Sequence, residues 1–307
     1  MGASMPETEV KEDQSCGGNC DSCAVSSCDA SEQRPGESAE DFANRQLLTK
    51  RMLGIKHKIV VLSGKGGVGK STIAVNLAVS LSIAGKKVGL LDVDIHGPSI
   101  PTMLNLEGAR AQSSGNNSIL PVEMGALKVM SLGFLLENKD SAIIWRGPMK
   151  MGVIEQLLRD VNWGDLDYLI IDSPPGTGDE PLSVVQLIGK MDGAVMVTTP
   201  QDVSAADVRK SLDFCRQLNL PVVGIVENMS GFICPDCGKE TAIFQGNNGE
   251  IMAEEAGVPF LGKIPFDPAV GSSCDKGAPF IYHYSKTETA KRFESVIKQI
   301  LDREEKE

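Results

Sequence analysis

A glycine-rich run in the first third of the sequence has the composition of a phosphate-binding loop. It reads Ser-Gly-Lys-Gly-Gly-Val-Gly-Lys-Ser-Thr over residues 63–72. In such loops the glycines let successive backbone N–H groups curl around a phosphate, the last lysine neutralises phosphate charge, and the hydroxyl after it binds Mg²⁺. The candidate nucleotide-binding residues are Gly64, Lys65, Gly66, Gly67, Val68, Gly69, Lys70, Ser71 and Thr72, and Ser71 is also a candidate Mg²⁺ ligand.

The sequence on either side of the loop fits this interpretation. An apolar, β-branched run at 58–63 predicts a strand before the loop, and apolar residues at helical spacing over 72–84 predict a helix after it. Phosphates bind at the N-terminus of a helix, so a phosphate-binding loop requires this order of elements. Lys65 is a second lysine ahead of Lys70 and is extra to the usual loop.

Carboxylates close two of the predicted strands. Asp94 follows Asp92 at the end of one strand, and we expect Asp94 to hold the attacking water in line, because a carboxylate accepts a hydrogen bond from water. Asp92 also fits a turn or a helix cap. Asp172 ends a buried strand and is the candidate that holds Mg²⁺ through its water shell. The glycine- and proline-rich residues 173–180 after it have the composition of a switch loop.

Short apolar runs alternate with helical segments along the chain. The predicted strands lie at 58–63, 87–92, 126–132, 167–172, 192–199, 221–227 and 259–264, and the predicted helices include 72–84, 148–159, 203–218 and 287–301. This alternation predicts an α/β fold with a mostly parallel, doubly wound sheet and helices on both faces. Ligands then bind at the C-terminal ends of the strands. Asn228 closes one strand and is a candidate adenine contact, although a turn asparagine fits equally well.

Length and charge limit the domain organisation and the partners. The chain has 307 residues, 41% of them hydrophobic, and a formal charge of -11. This charge argues against broad binding to nucleic acid or to an anionic membrane. We expect a flexible acidic tail at 1–45 that carries a cysteine cluster, followed by one folded domain at 46–307. The sequence lacks a signal core and a membrane span, which predicts a cytoplasmic protein.

Eight cysteines in a reducing compartment point to metal or redox chemistry. Cys234 and Cys237 lie in a glycine-ended turn and make half of a tetrahedral site. Zinc or a [4Fe–4S] cluster normally takes four thiolates, so two chains would each contribute one pair, near a two-fold axis. Taken alone, the turn also fits a structural zinc knuckle.

A second group of cysteines lies in the predicted tail. Its members are Cys16, Cys20, Cys23 and Cys28. Four thiols close together in sequence suffice to ligate one [4Fe–4S] cluster within a single chain, while zinc binding or a transient transfer arm stays open. Cys215 lies among apolar residues of a predicted helix and is expected in the core.

Together these motifs resemble the deviant-Walker P-loop ATPases, a group that includes MinD, ParA and nitrogenase iron protein. Lys65 is the mark of that group. Residues 92–99, 145–149 and 174–180, together with the cysteine turn at 229–238, most closely resemble the Mrp and nucleotide-binding-protein branch, which consists of iron–sulfur cluster carriers and scaffolds. Some members also carry an N-terminal cluster, with a longer gap between the first two cysteines than this chain has.

The resemblance implies a sandwich homodimer that binds ATP and Mg²⁺. Lys65 would cross to the partner's nucleotide, so hydrolysis would depend on dimerisation, with Lys65, Lys70 and Asp94 as the catalytic residues. It also implies a labile [4Fe–4S] cluster that bridges two copies of Cys234 and Cys237 and is passed to client apoproteins under ATP control. A heteromer with a paralogue stays open. The alternative functions are a surface-cycling organiser like MinD or ParA and an ATP-driven electron donor.

Overall fold

The computed structural model describes residues 32–304 except 96, 115–117, 136–146, 235 and 245. The predicted N-terminal ligands Cys16, Cys20, Cys23 and Cys28 lie outside the described residues. The strands are β1 (Ile55–Ser63), β2 (Val88–Asp92), β3 (Gln112–Ser114), β4 (Ser118–Leu120), β5 (Val122–Met124), β6 (Leu127–Ser131), β7 (Leu166–Asp172), β8 (Gly193–Thr198), β9 (Val222–Ile233), β10 (Glu240–Thr241) and β11 (Phe260–Phe266). The helices are α1 (Ala39–Leu53), α2 (Lys70–Ile83), α3 (Ile100–Met103), α4 (Gly147–Arg159), α5 (Asp179–Ile188), α6 (Asp202–Gln217), α7 (Asn248–Ala256), α8 (Pro268–Asp275), α9 (Phe280–His283) and α10 (Glu288–Glu304), with a 3-10 turn at Leu132–Phe134.

Nine of the described strands form one sheet. Their order is β10-β9-β8-β1-β7-β2-β6-β5, and β11 pairs with β9 as well. The pairs among β1, β2, β6, β7, β8, β9 and β11 are parallel, and only β5 and β10 add antiparallel pairs to the described part of this sheet. Every residue of β2 and of β8 is buried, as expected for strands covered on both faces. The predicted mostly parallel α/β fold is confirmed.

The helices cover both faces of this sheet. The crossover through α2 runs from β1 to β2 in one direction along the sheet, whereas the crossovers through α4, α5 and α6 run in the other. Right-handed crossovers that run in opposite directions place their helices on opposite faces. Accordingly α2 contacts α9 and α10, while α4 contacts α1 and α5.

The last helix packs on the domain, as predicted from its apolar face. Phe293, Val296 and Ile297 of α10 are buried and line the same small apolar space as Ile73 and Leu77 of α2. Within the described part of the chain, none of the helices is both long enough and apolar enough to cross a membrane.

Helix α1 lies across residue 45, where the predicted tail ends. The side chain of Ser38 accepts a hydrogen bond from the Asp41 N–H and caps the helix, while Leu48 and Met52 are buried against the domain. The helix also has acidic residues in its first turn and basic residues in its last, which favours it electrostatically. The chain is therefore helical on both sides of that boundary. The division into tail and domain stays a prediction, because residues 1–31 are not described.

Candidate nucleotide site and cysteine hairpin

The glycine-rich loop joins β1 to α2 at the carboxyl edge of the sheet. Strand β1 lies between β7 and β8, so the loop emerges near the middle of the sheet. Gly67 and Gly69 have φ angles of +79° and +82°, in the left-handed region that favours glycine. Gly69 directly precedes α2, and the first N–H groups of that helix lack partners within the helix. The loop and the helix start together form an anion-binding concavity.

Close packing explains two of the loop glycines. A Cβ atom on Gly64 would lie 2.5 Å from the carbonyl carbon of Asp207 in α6, and a Cβ atom on Gly69 would lie 2.3 Å from Nδ2 of Asn228. Atoms do not approach this closely without a shift of the backbone or of the neighbouring side chain. The loop is therefore held against α6 on one side and against β9 on the other.

Lys70 and Asp172 form a buried ion pair through Nζ and Oδ1. Lys70 Nζ is also 3.3 Å from the Ser71 hydroxyl. Burial raises the pKa of Asp172, and the charge of Lys70 opposes this shift. The other carboxylate oxygen of Asp172 is buried and has no hydrogen-bond partner among the described residues, and the same holds for the Ser173 hydroxyl.

These residues fit a nucleotide with Mg²⁺. A buried carboxylate oxygen without a donor is unfavourable by about 1–3 kcal/mol or more. Because Mg²⁺ keeps several of its waters when it binds, its water shell supplies such donors. Ser71 and Asp172 lie at the same edge of the sheet, as the sequence predicted.

Asp92 lies beside Asp172 on the neighbouring strand and is almost fully buried. Burial, followed by the charge of Asp172, holds the pKa of Asp92 well above its ordinary value. Its Oδ1 accepts the backbone N–H of Asp94 at 3.0 Å, and its Oδ2 accepts the Ser131 hydroxyl at 3.1 Å. The first of these bonds gives Asp92 the turn-forming role that the sequence left open. Asp94 itself is half-buried, and its Oδ1 accepts the Gly97 N–H at 3.3 Å.

Lys65 lies on the other side of the loop. Its Nζ donates to Oε1 of Gln201 at 2.9 Å, just after β8, whereas Lys70 points toward β7. Its carbonyl accepts the Ser63 hydroxyl at 3.0 Å. In the single chain the extra lysine is thus held by its own subunit, and its predicted crossing to a partner stays a prediction. No motif in the sequence points to Gln201.

Asn228 contacts the loop. Its Nδ2 donates to the carbonyl oxygen of Val68 at 2.9 Å, and the residue is buried. Because of this bond, the amide nitrogen of Asn228 holds the loop, and the predicted adenine contact stays a prediction. The register partner of Asn228 on β11 is Ile264, so the segment at 265–268 follows at the same edge of the sheet.

Cys234 and Cys237 lie in a hairpin turn between β9 and β10. Strand β9 runs on to Ile233, beyond the predicted end at 227, because its last residues pair with β10. Within the turn, Cys234 N–H donates to the Lys239 carbonyl at 3.1 Å, and Gly238 N–H donates to the Cys234 carbonyl at 2.9 Å. Cys237 is exposed and Cys234 is half-buried.

The turn favours the thiolate of Cys234. Hydrogen bonds from the backbone N–H groups of Cys237 and Asp236 lower the pKa of Cys234. The thiolate is the form that ligates metals. Within the described ranges, no group of three or more His, Cys, Asp or Glu side chains is placed to hold a metal ion. The described part of the chain therefore offers a two-thiolate donor set at this turn.

The two remaining described cysteines are placed differently. Cys215 is fully buried, as predicted, and burial raises its pKa to about 12. Cys274, which the sequence left unassigned, is half-buried, and its Sγ lies 3.9 Å from the Thr72 hydroxyl. Burial raises the pKa of Cys274 as well.

A glycine-rich loop between a central parallel strand and a helix, with a buried Lys–Asp pair at the same edge, defines a P-loop nucleotide-binding protein. Comparison with known families agrees with this class. The chain belongs to the family described as NUBPL iron-transfer P-loop NTPase, whose model matches residues 54–301. The family resemblance found in the sequence is confirmed.

Two curated relatives match almost the whole chain. The iron-sulfur cluster carrier protein of Methanocaldococcus jannaschii is 47% identical over 292 residues, which are 94% of this chain and 98% of the relative. The protein of the same name from Methanococcus maripaludis is 46% identical over 295 residues, which are 96% and 99% of the two chains.

Solved structures support the fold. The nucleotide-binding protein of Archaeoglobus fulgidus in complex with ADP has a TM-score of 0.69 and 41% identity, and the match covers 78% of this chain and 93% of that one. The cell division ATPase MinD of Pyrococcus furiosus has a TM-score of 0.59 at 23% identity, over 80% of this chain and 98% of that one. The MinD similarity concerns the fold alone.

Proposed function

We propose that this chain is an ATP-hydrolysing carrier that assembles a [4Fe–4S] cluster, works as a homodimer and passes the cluster to client apoproteins. The observation that carries the proposal is the turn at Cys234 and Cys237, which presents two thiols directly after the strand that holds the P-loop through Asn228. The family and the printed names of the relatives support an iron–sulfur cargo.

The loop residues bind the nucleotide. Backbone N–H groups of residues 64–70 surround the phosphates, and Lys70 exchanges its buried contact with Asp172 for phosphate oxygens. Ser71 and Asp172 would hold Mg²⁺, Asp172 through water. When bound there, the ion would neutralise the charge that develops on the phosphates during hydrolysis.

Two further residues serve hydrolysis itself. Asp94 accepts a hydrogen bond from the attacking water and keeps it in line with the phosphate. Lys65 leaves Gln201 and reaches the nucleotide of the partner subunit. A positive charge supplied from a partner raises phosphoryl-transfer rates by about 10³–10⁵-fold. Hydrolysis therefore requires two subunits.

The cluster is the cargo of the carrier. Cys234 and Cys237 of one protomer provide two thiolates, and the same residues of its partner complete the four that a [4Fe–4S] cluster takes. The N-terminal group of Cys16, Cys20, Cys23 and Cys28 is proposed as a second [4Fe–4S] site, with zinc as its alternative. The predicted cytoplasmic location stays a prediction.

Anaerobic reconstitution tests the bridging site. All variants carry serine at the four N-terminal cysteines, so that the predicted N-terminal site contributes no thiolate. We expect the parent protein to bind about one [4Fe–4S] cluster per two chains and to activate an apoprotein. A Cys234→Ala, Cys237→Ala variant should do neither, and a Cys274→Ala variant serves as the matched control. Unchanged iron and sulfide in the double variant would refute the bridging site.

ATP turnover tests the nucleotide part. Lys65→Met should bind ATP normally but lose most of its hydrolysis, while Lys56→Met, on the opposite edge of the sheet, should leave both intact. Size-exclusion chromatography with ATP should report a dimer. A strictly monomeric ATP-bound protein would contradict the proposal. ATP-dependent co-sedimentation with liposomes or DNA would instead support a surface-cycling organiser.

A further inference from the structure

Ser131 is a buried hydroxyl at the end of β6 that no sequence motif singles out. Its side chain is fully buried, and its Oγ donates to Oδ2 of Asp92 at 3.1 Å. The same oxygen accepts the backbone N–H of Gly133 at 3.2 Å. The hydrogen bond from Gly133 N–H fixes the position of the Ser131 hydroxyl oxygen. The hydroxyl hydrogen of Ser131 is donated to Asp92.

Asp92 connects this hydroxyl to the nucleotide edge. On β2 it lies directly between Ser131 of β6 and Asp172 of β7 in the strand register. Its two carboxyl oxygens have separate partners, the Ser131 hydroxyl and the Asp94 N–H. With both oxygens engaged, the carboxyl group has a single orientation.

The backbone of Asp94 depends on that orientation. The bond from Val93 N–H to the Asp172 carbonyl at 3.0 Å lies just beyond β2, and the next N–H, that of Asp94, is held by the Asp92 side chain. Without Ser131, the Asp92 carboxyl would lose one of its two anchors and would be free to rotate. Asp94 would then lose the contact that places it.

We propose that Ser131 is a positioning residue for ATP hydrolysis, acting through Asp92 on the water-orienting Asp94. The inference rests on the proposed ATPase function. A displacement of about 1 Å in a reacting group lowers the rate by about 100-fold, whereas phosphate binding by the loop does not involve Asp94. The expected signature is therefore a loss in kcat with little change in ATP affinity.

Steady-state hydrolysis by the full chain tests this inference. Ser131→Ala should lower kcat about 10- to 100-fold, with KM and the affinity for a fluorescent ATP analogue within about twofold of the parent. Ser131→Thr, which keeps a hydroxyl, should recover most of kcat. Ser211→Ala is the matched control, because its buried hydroxyl bonds only a helix carbonyl, that of Asp207, at 3.2 Å in the described contacts.

A second pair of variants covers the case in which Ser131→Ala fails to fold. Asp92→Asn keeps a side-chain oxygen that accepts the Asp94 N–H, whereas Asp92→Leu has no such oxygen. Asp92→Asn should therefore retain much more hydrolysis than Asp92→Leu. Equal losses in these two variants would overturn the inference.

Three further results would also overturn it. A parental kcat in Ser131→Ala, with Asp94→Asn inactive, refutes the positioning role and leaves the proposed function standing. A parallel fall in kcat, ATP affinity and melting temperature would assign Ser131 a structural role only. Absence of hydrolysis in the parent protein itself would overturn both the inference and the proposed ATPase function.

Discussion

Replacing Gly69 with alanine should destabilise the nucleotide-free protein more than the same change at Gly67. The two glycines belong to one loop and have nearly equal left-handed φ angles, +82° and +79°. An alanine in this region costs about 1–2 kcal/mol, and this cost is common to both positions. The surroundings differ, because a Cβ at Gly67 meets no atom within 4 Å, whereas a Cβ at Gly69 lies 2.3 Å from Nδ2 of Asn228.

The close contact at Gly69 has a definite consequence. To make room, the Asn228 amide must release the Val68 carbonyl, which it now bonds at 2.9 Å. A buried hydrogen bond broken with its partners left unpaired costs about 1–3 kcal/mol. We therefore expect Gly69→Ala to lower the free energy of unfolding by about 2–5 kcal/mol and Gly67→Ala by about 1–2 kcal/mol.

Urea unfolding measures the free energy of unfolding of both variants. Nucleotide is left out, because a bound phosphate would add a clash of its own at either position. The double variant Gly69→Ala, Asn228→Ala removes the amide that the new methyl group meets, so it should lose less than the sum of the two single changes. Equal losses at Gly67 and Gly69, or strict additivity in the double variant, would refute the view that Gly69 leaves room for Asn228.

Three other predictions follow from the cysteines, from α1 and from β9. Iodoacetamide at pH 8 should modify metal-free Cys234 well before Cys215. Backbone N–H donors lower the pKa of Cys234, whereas burial raises the pKa of Cys215 to about 12, so of these two cysteines only Cys234 gains thiolate. Peptide mapping by mass spectrometry checks the order of modification. Removal of residues 1–45 should cost up to about 3–6 kcal/mol more stability than removal of residues 1–37, because it cuts α1 and exposes Leu48 and Met52; equal unfolding midpoints would contradict this. Hydrogen exchange at residues 232–241 should change when ATP is added, since β9 carries both Asn228 and the hairpin; an unchanged pattern would count against such a link.

The elements around the loop were predictable because their signals are local. The run at 58–63 falls within β1, the helical spacing over 72–84 matches α2 closely, and the predicted strand at 167–172 matches β7 to within one residue. The extension of β9 to Ile233 was missed. Residues 228–231 are mostly polar or small. Pairing of Asn228 with β11 and of Phe232 and Ile233 with β10, which the local pattern does not contain, keeps this segment in the strand. The short strands β3, β4 and β5 were missed for the same reason.

The site was predictable only in part. Parallel strands bring their carboxyl ends to one edge, so the proximity of Lys70 to Asp172 followed from the motif order. The contacts of Lys65 with Gln201 and of Asp92 with Ser131 depend on strand register and side-chain packing, and neither has a motif. The predicted adenine contact of Asn228 stays a prediction, and its bond to Val68 was not foreseen.

Strand β9 joins the two halves of the proposed mechanism. Asn228 bonds the loop at Val68, and the next residue, Met229, has a left-handed φ of +56°, which is strained for a residue other than glycine. The Met229 side chain also approaches Gly69, since its Cε lies 3.7 Å from the Cβ position there. Only about 20 Å of extended chain separates these contacts from Cys234. On the proposed function, a phosphate that moved Val68 would act on the same strand that ends in the cysteine turn, and a cluster that fixed two such turns would act back on the loop, because coupling between two binding sites is reciprocal.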